Sequence, residues 1–115
     1  MGWFSRVPAV NAAEARALVD AGAVLLDVRE KAEWDAGHAP AAVHVPLGRL
    51  AQAGPRVSGA DKVVVVCRSG NRSAHATKAL RETGVDAVNL SGGMNAWAAM
   101  GGPVRTKSGR PGTVV

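Results

Sequence analysis

The residues with the clearest chemical potential lie in one short stretch, CRSGNRS, at residues 67–73. Its first residue, Cys67, is the only cysteine among 115 residues, so an internal disulfide is excluded. A thiol is nucleophilic only when ionised, and Arg68 and Arg72 supply positive charge on both sides of a small-residue turn. Gly70 tolerates the positive φ that lets successive N–H groups point at one spot. The stretch therefore predicts an ionised thiol beside a binding site for a small anion.

A free cysteine after an apolar strand is most often an inert part of the core. The surroundings of Cys67 argue against that role, because an inert thiol needs neither two arginines nor a glycine-containing loop. A helix that starts directly after the loop would also present free N–H groups and a partial positive charge. We therefore predict Cys67 as the nucleophile. The residues predicted to bind a small anionic substrate are Arg68, Ser69, Gly70, Asn71, Arg72 and Ser73.

The elements that must position this loop alternate between strands and helices. Apolar runs predict strands at residues 7–10, 23–28, 41–46, 62–67 and 86–90. Helical patterns, the first with an Asn11–Glu14 capping box, predict helices at residues 12–22, 30–37, 47–53, 72–84 and 92–101. Apolar runs without polar alternation are typical of strands covered on both faces, as in parallel sheets. We therefore expect an α/β domain with a mostly parallel sheet, whose ligands bind where strands end, as Cys67 does.

Length, composition and charge limit the classes of function. With 47% hydrophobic and 20% charged residues, the chain suits one domain, predicted at residues 1–104, followed by a basic, flexible tail at 105–115. The net charge is +5, but the basic residues are not interleaved with aromatic residues that could stack on bases. A nucleic acid partner is therefore not expected. Neither a membrane span nor a secretory signal is recognisable, which predicts a cytoplasmic protein with no membrane partner. The three histidines lack metal-pair spacing, and neither a metal nor a cofactor is predicted.

Three motifs in order resemble one known family. CRSGNRS resembles the active-site loop of the rhodanese family, C-x-x-G-x-R followed by Ser or Thr. LLDVREKAEWDAGHAPAAVHVP, at residues 25–46, is similar to the family's first conserved segment, and LSGGMNAWAAMG, at 90–101, resembles its closing segment. The resemblance implies a single-domain rhodanese with a five-stranded parallel sheet flanked by helices. The sequence departs from the family pattern at Ala39, Ala41 and His44, all outside the loop.

The resemblance implies a thiosulfate sulfurtransferase. Such an enzyme takes a sulfane sulfur from thiosulfate or a related small anionic donor, carries it as a Cys67 persulfide, and passes it to cyanide or a thiol. The amides of residues 68–73 would then hold the outer sulfur, while Arg68 and Arg72 would bind the donor's oxyanion. The basic tail motivates a second hypothesis, a persulfide carrier that docks on a protein sulfur donor or acceptor. A phosphatase or arsenate reductase of the same fold is less well supported, because Cys67 and Arg72 give C-x4-R rather than the C-x5-R of cysteine phosphatases.

Two acidic residues near the loop admit alternative roles. Asp27 ends an apolar strand and could be a second catalytic carboxylate, but we expect it to give structural support together with Arg29. Arg29 and Glu33 are four residues apart and are predicted to form an ion pair at the start of a helix.

The remaining aromatic and histidine residues are weaker candidates. His38 is expected to stabilise a turn rather than act as an acid or base. His75 could tune the thiolate or face solvent, and both roles stay open. Trp34 and Trp97 are expected to be core anchors rather than substrate contacts.

Overall fold

The strands and helices follow one another almost as predicted in the computed structural model, which describes residues 7–115. The prediction about a secretory signal rests partly on residues 1–6, which lie outside the described residues. The strands are β1 (Ala9–Val10), β2 (Val24–Asp27), β3 (Val43–His44), β4 (Val63–Val66) and β5 (Ala87–Leu90). The helices are α1 (Ala12–Asp20), α2 (Lys31–Ala36), a 3-10 segment (Leu47–Gln52), α3 (Gly54–Val57), α4 (Asn71–Glu82) and α5 (Gly93–Ala99).

The sheet has the order β1-β5-β4-β2-β3, and every neighbouring pair is parallel. The central strand, β4, pairs with β2 through Leu26 and Val65 and with β5 through Val64 and Val88. This confirms the predicted fold class, an α/β domain with a five-stranded parallel sheet flanked by helices. Because all strands run in one direction, their carboxyl ends meet at one edge, and β4 delivers Cys67 to the middle of that edge.

The valines of β4 anchor the sheet on both faces. Val63 and Val65 pack with the core between the sheet and α4, while Val64 and Val66 pack with the core that contains Met94 of α5. All four valines are fully buried. Burial of a valine contributes about 1.5 kcal/mol, so the strand that precedes Cys67 is held by several kcal/mol of apolar contact.

Local capping sets where the helices begin. The predicted box at α1 is present, since Glu14 N–H donates to Asn11 Oδ1 at 2.8 Å and Asn11 N–H donates to Glu14 Oε1 at 2.9 Å. A second box, formed by Glu30 and Glu33 at the start of α2, was not predicted. The short helix α3 was also missed, because its sequence, GPRV, carries no apolar periodicity.

The C-terminal residues differ from the predicted flexible tail, because they fold back against the domain. The backbone of Arg105 pairs with that of His38, and Thr113 N–H donates to Ala36 O at 2.9 Å. Val104 and Val114 pack against the core between the sheet and α5. The Pro, Gly and basic content of this segment favours flexibility, but these two valines supply the apolar contact that holds it to the domain.

No helix within residues 7–115 combines the length and the apolar character that a bilayer span requires.

Candidate active site

The candidate active-site loop, residues 67–73, begins directly after β4 and extends into the first turn of α4. Gly70 lies at the helix N-cap with φ +114°, a conformation that residues with a Cβ rarely adopt. This turn brings Gly70 N–H to 3.1 Å from Cys67 Sγ. The loop is thus folded around the sulfur of its own first residue.

The start of α5 closes the loop from the other side. Met94 N–H donates to Cys67 O at 2.8 Å, and Asn95 N–H donates to Arg68 O at 3.0 Å. A Cβ on Gly93 would collide with both of these carbonyl oxygens. Only glycine therefore allows this close approach, which holds the loop backbone against a neighbouring helix.

Cys67 is buried but surrounded by hydrogen-bond donors. Its residue surface is 1% exposed, and Ser73 Oγ lies 3.3 Å from Sγ. Burial raises the pKa of the Cys67 thiol, but hydrogen bonds from the Ser73 hydroxyl and from the backbone N–H groups of Ser73, Gly70 and Ser69 outweigh it. The net effect is a pKa below the ordinary value for cysteine. The thiol is therefore disposed to ionise.

Arg72 is engaged by Glu33 rather than left free beside the sulfur. Its two terminal nitrogens donate to Glu33 Oε1 at 2.7 Å and Oε2 at 2.8 Å. The Arg72 hydrogen bonds hold the pKa of Glu33 below its usual range although burial opposes this, and Glu33 in turn raises the pKa of Arg72. The predicted Arg29–Glu33 ion pair is therefore wrong. The carboxylate of Glu33 reaches across to α4, and Arg29 contacts only its backbone oxygen.

Arg29 forms a buried ion pair with Asp27 at the end of β2. Both side chains are fully buried, and Arg29 donates to Asp27 Oδ1 at 3.0 Å and to Oδ2 at 2.7 Å. Arg29 also donates to the backbone oxygens of Glu33, within α2, and Gly37, directly after it. A buried charge without a partner is costly, so this arrangement ties the position of α2 to the end of the sheet. Within the described residues the side chain of Asp27 hydrogen bonds only with Arg29, and its supporting role stays a prediction.

The predicted site residues of the loop differ in their exposure to solvent. In the loop, Arg68, Ser69 and Asn71 are exposed, whereas Gly70 and Ser73 are buried. The side chain of Arg68 makes no ion pair with residues 7–115 and is available to an anionic ligand.

No histidine or tryptophan among residues 7–115 hydrogen bonds with Cys67 Sγ. His75 is exposed on α4, so solvent is its environment. His38 Nδ1–H donates to Trp34 O at 2.8 Å, a structural contact within the α2 turn. Trp97 is buried in the core, as predicted, but Trp34 is only half-buried and stacks on His38 and His44, with ring centroids 3.6 and 4.7 Å apart. The prediction of Trp34 as a core anchor is wrong.

The comparison with protein families gives a direct result. Residues 11–100 match the family model described as the rhodanese-like domain. The chain belongs to this family. The rhodanese assignment and the fold expected from the loop and from its flanking motifs are thereby confirmed.

Individual relatives of this rhodanese-like chain extend the comparison. It is 36% identical over 115 residues to thiosulfate sulfurtransferase 16 of Arabidopsis thaliana, covering 88% of this chain and 96% of that protein. It is 32% identical to YrkF of Bacillus subtilis, named as a candidate sulfur carrier protein, covering 81% of this chain but only 52% of that protein. A rhodanese-related protein from Thermoplasma volcanium superposes with a TM-score of 0.77 at 32% identity, covering 85% and 97% of the two chains. Homologues of this chain are thus named for sulfur transfer or sulfur carriage.

Two residues of this rhodanese-like site were not singled out from the sequence. Asn89 lies in β5, is buried, and contacts both Ser73 Oγ and Gly70 O. Its signal was present as the one polar side chain in the buried strand AVNL. Gly93 was part of a quoted motif, but only the packing of α5 against the loop reveals why a side chain is excluded there.

Proposed function

We propose that this chain is a thiosulfate-type sulfurtransferase that works through a persulfide on Cys67. The observation that carries the proposal is the environment of Sγ, where Gly70 N–H at 3.1 Å and Ser73 Oγ at 3.3 Å favour the thiolate. The C-x4-R spacing of Cys67 and Arg72 supports sulfur transfer rather than phosphate chemistry.

The reaction runs in two displacements. In the first, the Cys67 thiolate attacks the outer sulfur of thiosulfate; a Sγ–S bond forms, the S–S bond of the donor breaks, and sulfite leaves with the electron pair. In the second, cyanide or a thiolate attacks the outer sulfur of the persulfide, and Sγ leaves as the thiolate. No separate base is required because Cys67 enters as the thiolate. The cycle consumes one donor and one acceptor and restores the enzyme.

Each loop residue has a role in this scheme. The backbone N–H groups of Ser69, Gly70 and Ser73 stabilise negative charge at the sulfur. Arg68 is the exposed cation that meets the sulfonate of the donor. Arg72 contributes positive charge near Sγ while Glu33 sets its orientation, and Asn71 begins the helix whose N-terminus favours an anion.

The experiment is intact-mass analysis of the reduced protein after thiosulfate treatment and desalting. The expected result is a gain of about 32 Da, one sulfur atom, together with one equivalent of sulfite. The matched control, Cys67→Ser, keeps the shape of the loop and should gain nothing. Absence of the adduct in the wild type would overturn the proposal. Turnover of p-nitrophenyl phosphate faster than sulfur transfer would instead favour a phosphatase.

A second candidate function, persulfide exchange with a protein partner, has support from one surface. Lys107 of the folded C-terminal segment, with Arg49 and Trp34, lines an open cleft of about 890 Å³. The charged residues that line the cleft also include Glu30 and the paired Lys31 and Asp35, which leaves an excess of one positive charge. Because Lys107 and Arg49 are exposed, this excess suits an acidic protein surface. The partner would be a protein that donates sulfur, such as a cysteine desulfurase loaded from L-cysteine.

Charge reversal tests this second function better than truncation, because Val114 and Thr113 hold the segment to the domain. Lys107→Glu should slow sulfur transfer from the loaded desulfurase several-fold while leaving transfer from thiosulfate to cyanide unchanged. Lys78→Glu, an equal charge change at an exposed position of α4, is the control. Equal slowing by both variants would show that this surface does not bind the partner.

A cytoplasmic location belongs to the proposal, since a reducing compartment keeps the thiol available.

A further inference from the structure

The buried hydroxyl of Ser73 lies between two hydrogen-bond acceptors but has only one proton. A serine hydroxyl has one proton to donate, yet Ser73 Oγ lies 2.6 Å from Asn89 Oδ1 and 3.3 Å from Cys67 Sγ. Both neighbours are acceptors when Cys67 is ionised. The hydroxyl can therefore satisfy only one of them at a time.

The orientation of Asn89 follows from its second contact. Asn89 Nδ2 lies 3.1 Å from Gly70 O, which can only accept. The amide nitrogen must therefore face Gly70, and the amide oxygen must face Ser73. Because Asn89 Oδ1 cannot donate, the short 2.6 Å contact requires the hydroxyl proton of Ser73 to point at Asn89. In this arrangement a Cys67 thiol can donate its own proton to Ser73 Oγ.

We propose that Asn89 is a positioning residue that competes with Cys67 Sγ for the Ser73 hydroxyl proton. The inference rests on the proposed role of Cys67 as nucleophile. When Sγ is neutral, as a thiol or as the inner sulfur of a persulfide, the proton lies on the bond to Asn89. When Sγ is a thiolate, the hydroxyl turns to the sulfur and Asn89 Oδ1 loses its donor.

This competition has a direct consequence for reactivity. When Cys67 ionises, the Ser73 hydroxyl gains a hydrogen bond to Sγ and loses its hydrogen bond to Asn89 Oδ1. Because that bond is lost, Asn89 disfavours the thiolate form of Cys67. A thiolate that is stabilised too far is a weaker nucleophile, and the best attacking thiol has a pKa near the ambient pH. Asn89 thus keeps the sulfur reactive for attack on the donor. During discharge, the returning Ser73 proton stabilises Sγ as it leaves the outer sulfur.

Other charges near Cys67 do not enter this exchange. Neither Ser73 nor Asn89 hydrogen bonds with a charged side chain within residues 7–115. No charged residue belongs to β4, β5 or α5. The titratable and charged side chains on the loop, in the first turns of α4, at the ends of β2 and β3 and in α2 with its N-cap are Arg68, Arg72, His75, Asp27, Arg29, His44, Glu30, Lys31, Glu33 and Asp35.

The test is a four-variant cycle of wild type, Asn89→Leu, Ser73→Ala and the double variant. Leucine keeps the branched shape and the number of side-chain heavy atoms of Asn89 but offers no acceptor. The readout is the rate at which iodoacetamide alkylates Cys67, the only thiol, as a function of pH. The charged neighbours are common to all four proteins, so their effects cancel in the cycle.

The expected result has two parts. In the Ser73 background, Asn89→Leu moves the midpoint of the rate profile to lower pH, raises the rate about twofold below the midpoint, and lowers the plateau about twofold above it. In the Ser73→Ala background, Asn89→Leu should change neither the midpoint of the profile nor the rates below and above it. An upward movement of the midpoint, or an equal movement in both backgrounds, would overturn the proposal and indicate that Asn89 acts only through Gly70.

A second measurement needs only two proteins and does not depend on folding of the leucine variant. The side-chain amide signals of Asn89 in NMR spectra of the wild type should shift with the ionisation of Cys67 and should not shift in Ser73→Ala. No shift in the wild type would contradict the proposal.

Alkylation uses neither thiosulfate nor an acceptor. The cycle can therefore succeed even if no persulfide forms, and such an outcome would refute sulfur transfer alone.

Discussion

The ion pair between Glu33 and Arg72 offers a quantitative test of how α2 supports the active-site loop. Glu33→Gln removes the charge but keeps the size of the side chain. Glutamine Oε1 can still accept from Glu30 N–H, as the carboxylate does at 3.1 Å, so the N-cap of α2 is preserved. The glutamine nitrogen, by contrast, presents hydrogens to the guanidinium of Arg72. The substitution therefore isolates the ion pair from the helix cap.

The magnitude follows from geometry and exposure. The pair is bidentate, with distances of 2.7 and 2.8 Å, and the side chains of Arg72 and Glu33 are 36% and 18% exposed. Exposed pairs contribute about 0.2–1 kcal/mol, and loss of one partner of a buried pair costs about 3–5 kcal/mol. Since more than a third of Arg72 is solvated, we expect the free energy of unfolding to fall by about 1 kcal/mol at neutral pH. For a domain of this size the melting temperature should fall by about 4 °C.

The pH dependence gives the prediction a sign. The Arg72 hydrogen bonds lower the pKa of Glu33 in the folded state, with burial acting in the opposite direction. A carboxylate with a depressed pKa stabilises the fold fully above its unfolded pKa, about 4.3, and this contribution is lost as the pH falls through the folded pKa. The difference between wild type and Glu33→Gln should therefore be constant above about pH 5.5 and should shrink on further acidification.

The assay is urea unfolding of both proteins between pH 3.5 and pH 7. The control is Asp35→Asn, which breaks the Lys31–Asp35 pair on the same helix. That pair is short, at 2.6 Å, but its side chains are 80% and 53% exposed, and we expect no measurable change. Equal stability of wild type and Glu33→Gln at pH 7 would refute the reasoning. So would a difference that persists unchanged when the pH falls to 3.5.

Two further predictions concern the supports of the loop. Arg29→Ala leaves Asp27 buried without a partner and should lower the free energy of unfolding by about 3–5 kcal/mol in urea titration, whereas Arg29→Lys, which keeps the charge, should lose less; equal losses would show that the charge does not matter. Gly93→Ala should displace the loop and reduce persulfide formation measured by intact mass, because its Cβ would collide with the carbonyl oxygens of Cys67 and Arg68. Gly22→Ala is the control, since its φ of +109° suits alanine even less than the +59° of Gly93, while its Cβ would enter open space; comparable loss in both variants would indicate strain alone.

Most of the fold could be predicted because its signals are local. The four consecutive valines of β4 cannot alternate between core and solvent, so both faces of the strand must be covered, which indicates a parallel sheet. Glycines and capping residues marked the helix ends, as at Asn11 and Gly84. The misses, α3 and the C-terminal segment, are elements whose position depends on distant partners. Val104 and Val114 gave no periodic pattern, and their contacts arise only when the chain folds back.

Residues 67–73 carry the predicted chemistry, so the sequence by itself determined the candidate nucleophile Cys67, the glycine turn and the start of the helix that follows. Hydrogen bonds from the loop to its own first residue join neighbours in sequence, and spacing is enough to predict them. Only the tertiary structure decided which side chain each charge meets. Glu33 pairs with Arg72, 39 residues away, rather than with Arg29, because β2 and β4 are neighbours in the sheet and the segments that follow them meet at one edge. Asn89 reaches Ser73 because β5 lies on the other side of β4. The order of strands in a sheet is set by packing of the whole chain, and for that reason no local pattern could reveal these two partners.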